Sequence, residues 1–147
     1  GINKGSVSDS TRRLSTETIE KIVECYDGRG TIFNMYPYDD DLGFMLPLKY
    51  GKHWWPNLKT LMGYIALMDY VISPETGPFH IANAFDKRTI SFNQSNIVCK
   101  MAQWEKLTVL DSDLDCIGCR KWDKCPVNEK IPPCSQPNPE QIVRYLQ

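Results

Sequence analysis

A short apolar run that leads into a turn and a helix start, at residues 69–85, constrains the fold more than any other part of this chain. Residues 70–72 (Tyr-Val-Ile) have the β-favouring, apolar character of a buried strand. Residues 75–77 (Glu-Thr-Gly) form a turn, and Pro78 suits the first turn of a helix, where its missing N–H costs no hydrogen bond. Strand–turn–helix units of this kind build parallel α/β sheets.

The rest of the chain alternates between helical and extended patterns. Helices are predicted after the candidate caps Ser15 and Asn57, from about Pro78 to Phe85, and from Pro139 onwards. The predicted strands are residues 31–36, 70–73, 88–93 and 106–111. The residues predicted to face the core are Ile19, Ile22, Val23 and Tyr26 in the first helix, Leu58, Leu61, Met62 and Ile65 in the second, and Ile142, Val143 and Leu146 in the last. This alternation predicts a Rossmann-like, three-layer α/β domain with a parallel sheet.

Length and charge narrow the classes of protein. A chain of 147 residues with 41% hydrophobic residues can build one domain with its own core. A net charge of −1 without a basic stripe argues against a nucleic-acid partner. The sequence contains neither a membrane-length apolar run nor a signal peptide, so a cytoplasmic protein without a transmembrane segment is predicted. Because the chain opens at Gly1 without a Met, it is interpreted as an excised domain or a fragment.

The turn after the strand at residues 70–73 is the first candidate site. In a parallel sheet, ligands bind beyond the carboxyl ends of the strands. Free N–H groups and the positive end of the helix dipole favour a phosphate at such a helix start, and Gly77 allows close approach. The candidate residues are Glu75, Thr76, Gly77, Pro78 and His80. One alternative stays open, in which Glu75 only caps the helix and His80 is a core residue.

Two other loops contain candidate nucleotide contacts. Arg12 and Arg13 precede the first helix and can clamp a diphosphate, although on these residues alone solvated loop charges are the better interpretation. Asp39, the first of three aspartates at residues 39–41, can accept hydrogen bonds from a ribose or can simply make a turn soluble. Trp55 can stack on a base or fill the core.

The irregular segment near the C-terminus, residues 116–134, is rich in cysteine. Its four cysteines are Cys116, Cys119, Cys125 and Cys134. Four close thiols in a reducing compartment favour a metal over disulfides, so a structural zinc, or iron, is predicted. Cys25 and Cys99 are predicted to be ordinary buried or half-buried thiols.

Residues 69–84 resemble the D-x-V-I-S-x-D-T-G-x-x-H-I-A-x-A signature of the bacterial heptosyltransferase family, whose members have the GT-B glycosyltransferase fold. The matching residues are Asp69, Val71, Ile72, Ser73, Thr76, Gly77, His80, Ile81, Ala82 and Ala84. Residues 12–15 (Arg-Arg-Leu-Ser) and residues 138–143 also resemble family segments. The sequence departs from the signature at Glu75, where the family usually has Asp.

The resemblance implies that residues 1–147 are the C-terminal, sugar-nucleotide-binding domain of such an enzyme, without the N-terminal acceptor domain. That missing half supplies the catalytic base, so no catalytic residue is assigned here and the chain alone is expected to be inactive. The implied donor is an ADP-heptose-like sugar nucleotide, and the acceptor resembles a lipopolysaccharide core. The implied partner is the upstream half of the enzyme, and peripheral membrane association of the intact enzyme is compatible with this interpretation.

The resemblance also implies roles for the site residues. Arg12 or Arg13, together with the backbone at Thr76 and Gly77, would contact the diphosphate, and Glu75 would contact sugar hydroxyls. Two other functions stay open: a stand-alone nucleotide- or sugar-phosphate-binding module without catalysis, and a metal-stabilised interaction domain.

Overall fold

The computed structural model of the chain describes residues 1–3, 5, 12–26, 30, 32, 57–97, 104–121, 125–128 and 132–146. In chain order its helices and strands are α1 (Thr16–Tyr26), α2 (Leu58–Leu67), β1 (Tyr70–Ile72), α3 (Gly77–Ala84), β2 (Arg88–Phe92), β3 (Leu107–Leu110), a 3₁₀ turn (Pro133–Ser135) and α4 (Pro139–Arg144). No helix among these residues combines the length and the apolar character needed to cross a membrane.

The strands form a parallel sheet in the order β1-β2-β3, with β2 in the middle. Residues 1–3 extend the sheet beside β1, because Asn3 N donates to Ile72 O at 2.8 Å and Ile72 N donates to Gly1 O at 2.8 Å. The helix α3 connects β1 to its parallel neighbour β2. The predicted parallel α/β sheet is therefore confirmed.

Helices cover both faces of this sheet. On one face α1 and α4 pack together over Ile72, Ile90 and Phe92. On the other face α2 and α3 pack together over Val71. Neighbouring residues of a strand point to opposite faces, so Val71 and Ile72 serve different layers and both are buried. Such double burial explains why β1 is a continuous apolar run.

The predicted caps of two helices are confirmed. Ser15 Oγ accepts a hydrogen bond from Thr18 N at 3.1 Å, and Asn57 Oδ1 accepts one from Thr60 N at 2.9 Å. These side chains satisfy N–H groups that have no partner within the helix.

Three predictions of burial are wrong. In α2, Leu58 is 58% exposed and Met62 is 37% exposed, because the helix buries a narrow stripe at Leu61 and Ile65. Cys25 is exposed near the end of α1, whose buried residues are Thr18, Ile19, Ile22 and Val23. The predicted strand at residues 31–36 lies outside the described residues except for Ile32, which is buried.

Removing the N-cap of α2 tests how much the capping side chain stabilises this helix. We expect Asn57→Ala to lower the free energy of unfolding by about 1 kcal/mol, because Thr60 N loses its acceptor. Asn57→Ser retains a capping oxygen and should stay close to the original chain. Urea unfolding followed by circular dichroism measures both, and equal losses for Ala and Ser would contradict the capping role.

Candidate functional site

The side-chain amide of Asn3, in the segment that pairs with β1, forms hydrogen bonds with the turn that follows β1. Asn3 Nδ2 donates to Ser73 Oγ at 2.9 Å and to Thr76 Oγ1 at 2.8 Å. Asn3 and Ser73 are buried, so the bond between them is protected from competing water. The turn is thereby held at the carboxyl end of β1, where parallel sheets bind ligands.

The start of α3 is not capped by the residue in the capping position. Thr76 has an extended backbone and makes no side-chain capping bond. The first intrahelical hydrogen bond runs from His80 N to Thr76 O, and Pro78 has no N–H to offer. A Cβ added to Gly77 would find no atom within 4 Å, so the space beside this backbone is open. An anion can therefore approach the N–H groups and the positive end of the helix dipole.

A carboxylate lies beside this helix start. Glu75 is 8% exposed, and its Oε1 is 3.1 Å from His80 Nε2. Its Oε2 accepts a hydrogen bond from Asn96 Nδ2 at 2.9 Å, and Arg12 Nη1 lies 3.8 Å from the same oxygen. The structure thus brings Arg12, which is far away in sequence, to the pair formed by Glu75 and His80. The side chain of Glu75 is bonded to other side chains, which argues against a role limited to capping.

His80 is half exposed and fixed on two sides. Its side chain is 46% exposed, which excludes the alternative of a core histidine. Its ring lies edge-on to Phe79, with centroids 5.0 Å apart, and to Trp104, at 6.4 Å. These two rings and the contact with Glu75 restrict the orientation of the imidazole beside the start of α3.

Arg13 is held at its backbone. Its carbonyl accepts a hydrogen bond from Gln94 Nε2 at 2.9 Å, and the residue pairs with Gly5 in an isolated antiparallel bridge. Arg13 is half buried and follows Arg12 directly in the same segment. The predicted residue Asp39 and the tryptophan Trp55 lie outside the described residues.

Sequence reasoning missed three amides, Asn3, Gln94 and Asn96. The available signal was their position: residues 93–96 (Asn-Gln-Ser-Asn) follow directly after β2, at the same edge of the sheet as the turn after β1. A run of amides and a hydroxyl at that edge indicates hydrogen bonding to a neighbouring loop or a ligand.

The four cysteines of the segment at residues 116–134 do not form a metal site as arranged. Among the described residues, which include all four, no group of three or more Cys, His, Asp or Glu is placed to hold a metal ion. Burial, together with the nearby thiols of Cys125, Cys116 and Cys119, raises the pKa of Cys134 to about 12. The predicted zinc or iron is not supported by this geometry.

A parallel α/β sheet with helices on both faces defines a Rossmann-like domain. Residues 56–125, which contain β1, α3, β2 and β3, match the family model of glycosyltransferase family 9 (heptosyltransferase). The resemblance to the heptosyltransferase family is thereby confirmed.

Two solved structures share the fold. The E. coli heptosyltransferase WaaC, solved with ADP-2-deoxy-2-fluoro heptose, is 15% identical with a TM-score of 0.64. The iron-containing dodecameric glycosyltransferase TibC from enterotoxigenic E. coli H10407 is 13% identical with a TM-score of 0.66. Each similarity covers 99% of this chain, which spans 41% of WaaC and 43% of TibC. No curated protein sequence matches the chain.

Proposed function

We propose that this chain is the donor-binding domain of a glycosyltransferase that transfers a heptose-like sugar from an ADP-sugar to a lipopolysaccharide-core-like acceptor. The observation that carries the proposal is the open start of α3, with Gly77 exposed and Arg12 beside it. The solved complex of WaaC with an ADP-heptose analogue supports this choice of donor.

The diphosphate of the donor is placed against the first turn of α3. Gly77 N–H and the helix dipole stabilise its negative charge, and the absence of a Cβ at Gly77 lets a phosphate oxygen reach the backbone. Arg12 supplies a full positive charge from the facing loop; its side chain is 28% exposed and so is available to a ligand. Arg13 and Asp39 belong to the same proposal, as a second phosphate contact and a ribose contact.

The sugar is placed beside the Glu75–His80 pair. Each carboxylate oxygen has two lone pairs, and the contacts with His80 and Asn96 use one on each oxygen. Glu75 can therefore still accept a sugar hydroxyl on Oε1, whereas Oε2 also faces Arg12 Nη1 at 3.8 Å. His80, with its Nε2 engaged by Glu75, offers its other ring nitrogen to the sugar or to the phosphate.

Transfer breaks the bond between the anomeric carbon and the diphosphate oxygen while an acceptor hydroxyl attacks from the opposite side. The electron pair of the broken bond stays on the departing ADP, so negative charge grows on the diphosphate during the step. Arg12 and the start of α3 stabilise that charge in place, without reorganisation. The base that removes the acceptor's proton comes from the acceptor-binding half of the enzyme, which this proposal places outside residues 1–147.

Titration calorimetry of the chain with ADP, UDP, GDP and ADP-heptose tests the proposal. We expect the chain to bind ADP. Arg12→Gln should raise the Kd for ADP about tenfold, because a charge-assisted contact is lost. Arg88→Gln is the matched control, since Arg88 lies at the amino end of β2, bonded to Tyr70 Oη at 2.6 Å, away from the site. Equal effects of the two variants would contradict the assigned site.

The outcomes also separate the alternative functions. A chain that binds none of these nucleotides refutes the donor domain and favours an interaction domain. Radiolabelled sugar transfer measured with and without an acceptor-binding half tests catalysis. Binding without transfer in both cases would favour a stand-alone nucleotide-binding module.

A further inference from the structure

The loop after β2, residues 93–97, is held by bonds from a distant segment. Gln94 O accepts a hydrogen bond from Gly118 N at 2.7 Å, and Ser95 O accepts one from Arg120 N at 2.9 Å. Gly118 has φ +75°, a conformation that glycine adopts without strain, and a Cβ there would lie 2.7 Å from the side chain of Ile97. The segment around residues 116–120 thus supports this loop through a contact that only glycine fits well.

A buried amide fixes the same loop from its other side. Gln94 is 2% exposed, and its Nε2 donates to Arg13 O and to Cys134 O, both at 2.9 Å. Since Arg12 is the neighbour of Arg13, the loop after β2 and the arginine loop have a fixed relative position. Side chains that project from residues 93–97 toward the site therefore have a defined direction.

Asn96 is the side chain that reaches from this loop to Glu75, at 2.9 Å. We propose that Asn96 is a positioning residue for Glu75, and that the pair determines how the donor's sugar, rather than its nucleotide, is recognised. This inference rests on the proposed function of the site.

The length of the Glu75 side chain is the reason why a positioning residue matters here. Glutamate has one more rotatable bond than the aspartate common at this position in the family signature, so its carboxylate is less restricted. Asn96 holds Oε2, and His80 contacts Oε1, so both oxygens are fixed. An amide N–H donates to a carboxylate without neutralising its charge, so Glu75 stays an acceptor for a sugar hydroxyl.

Calorimetric titration of Asn96→Ala with ADP and with ADP-heptose tests the inference. We expect ADP-heptose to bind about tenfold more weakly, as for the loss of a hydrogen bond to a charged group, while the Kd for ADP stays within about twofold. In a Glu75→Gln background, Asn96→Ala should have little further effect, because the two residues act as one unit.

A second measurement follows the contact without any ligand. The side-chain amide resonances of Asn96 should move when Glu75 is replaced by Gln, because the carboxylate that accepts from Nδ2 is lost. Arg88→Gln is the matched control, because Arg88 lies at the amino end of β2, at the other end of the strand from the loop that contains Asn96. It should leave both Kd values unchanged.

Four results would overturn the inference. Equal weakening of ADP and ADP-heptose would indicate a general structural role, and no weakening of either would exclude positioning. Additive effects in the double variant would show that Asn96 does not act through Glu75. If the unaltered chain bound neither ligand, the proposed function itself would fail, and the inference would fail with it.

Discussion

Replacing Gly77 with aspartate is expected to weaken ADP binding by about a hundredfold or more, because a carboxylate then occupies the place proposed for the phosphate. The fold should tolerate the change, since no atom lies within 4 Å of an added Cβ. A carboxylate in the first turn of α3 also interacts favourably with the helix dipole. Loss of binding without loss of stability is therefore the expected signature, measured by calorimetry beside a thermal unfolding curve.

Gly77→Asn is the matched control, because asparagine has the size of aspartate without its charge. We expect it to retain much more of the ADP affinity than Gly77→Asp. If both variants lost binding equally, size rather than charge would be decisive, and the electrostatic account of the helix start would be wrong. If neither lost binding, the nucleotide would bind elsewhere on the chain.

Phe79→Ala is expected to lower the free energy of unfolding by about 3–5 kcal/mol, since it removes a large buried ring and leaves a cavity. Phe79 is 0% exposed and lies edge-on to Trp104, with ring centroids 5.6 Å apart. Such a loss is a large share of the stability of a typical domain. Urea unfolding followed by circular dichroism gives the value.

Phe85→Ala, immediately after the same helix, is the control for this change. Phe85 is 38% exposed, so its truncation should cost about 1 kcal/mol or less. Similar losses at the two positions would contradict the view that Phe79 anchors α3. Because His80 packs against the ring of Phe79, Phe79→Ala should also loosen the Glu75–His80 pair.

The elements predicted best are those whose signals are local. The apolar run of β1, the Pro78 that opens α3 and the caps Ser15 and Asn57 are each encoded within a few residues, and the structure has all of them. Burial was predicted less well. Helical spacing showed which residues share a face in α2, but the width of the buried stripe depends on the helix packed against it, so Leu58 and Met62 are exposed.

The candidate site shows the same division. Sequence pattern identified Glu75, Gly77 and His80 as neighbours because they share one turn and one helix start. It did not show that Glu75 is held by Asn96, which is 21 residues away. The thiols of residues 116–134 are close along the sequence, yet their arrangement follows from the loops around them, and the described residues contain no metal-holding group there.

The sequence by itself determined the strand–turn–helix unit and the alternation that leads to a parallel sheet, because backbone preference, hydrophobic period and helix capping act over a few residues. Which side chains meet beside the start of α3 depends on the tertiary structure. Asn3 reaches Ser73 across 70 residues and Gln94 reaches Arg13 across 81, so these contacts exist only once the sheet has formed. A hydrogen bond depends on the distance between two atoms in space, and chain folding alone sets that distance.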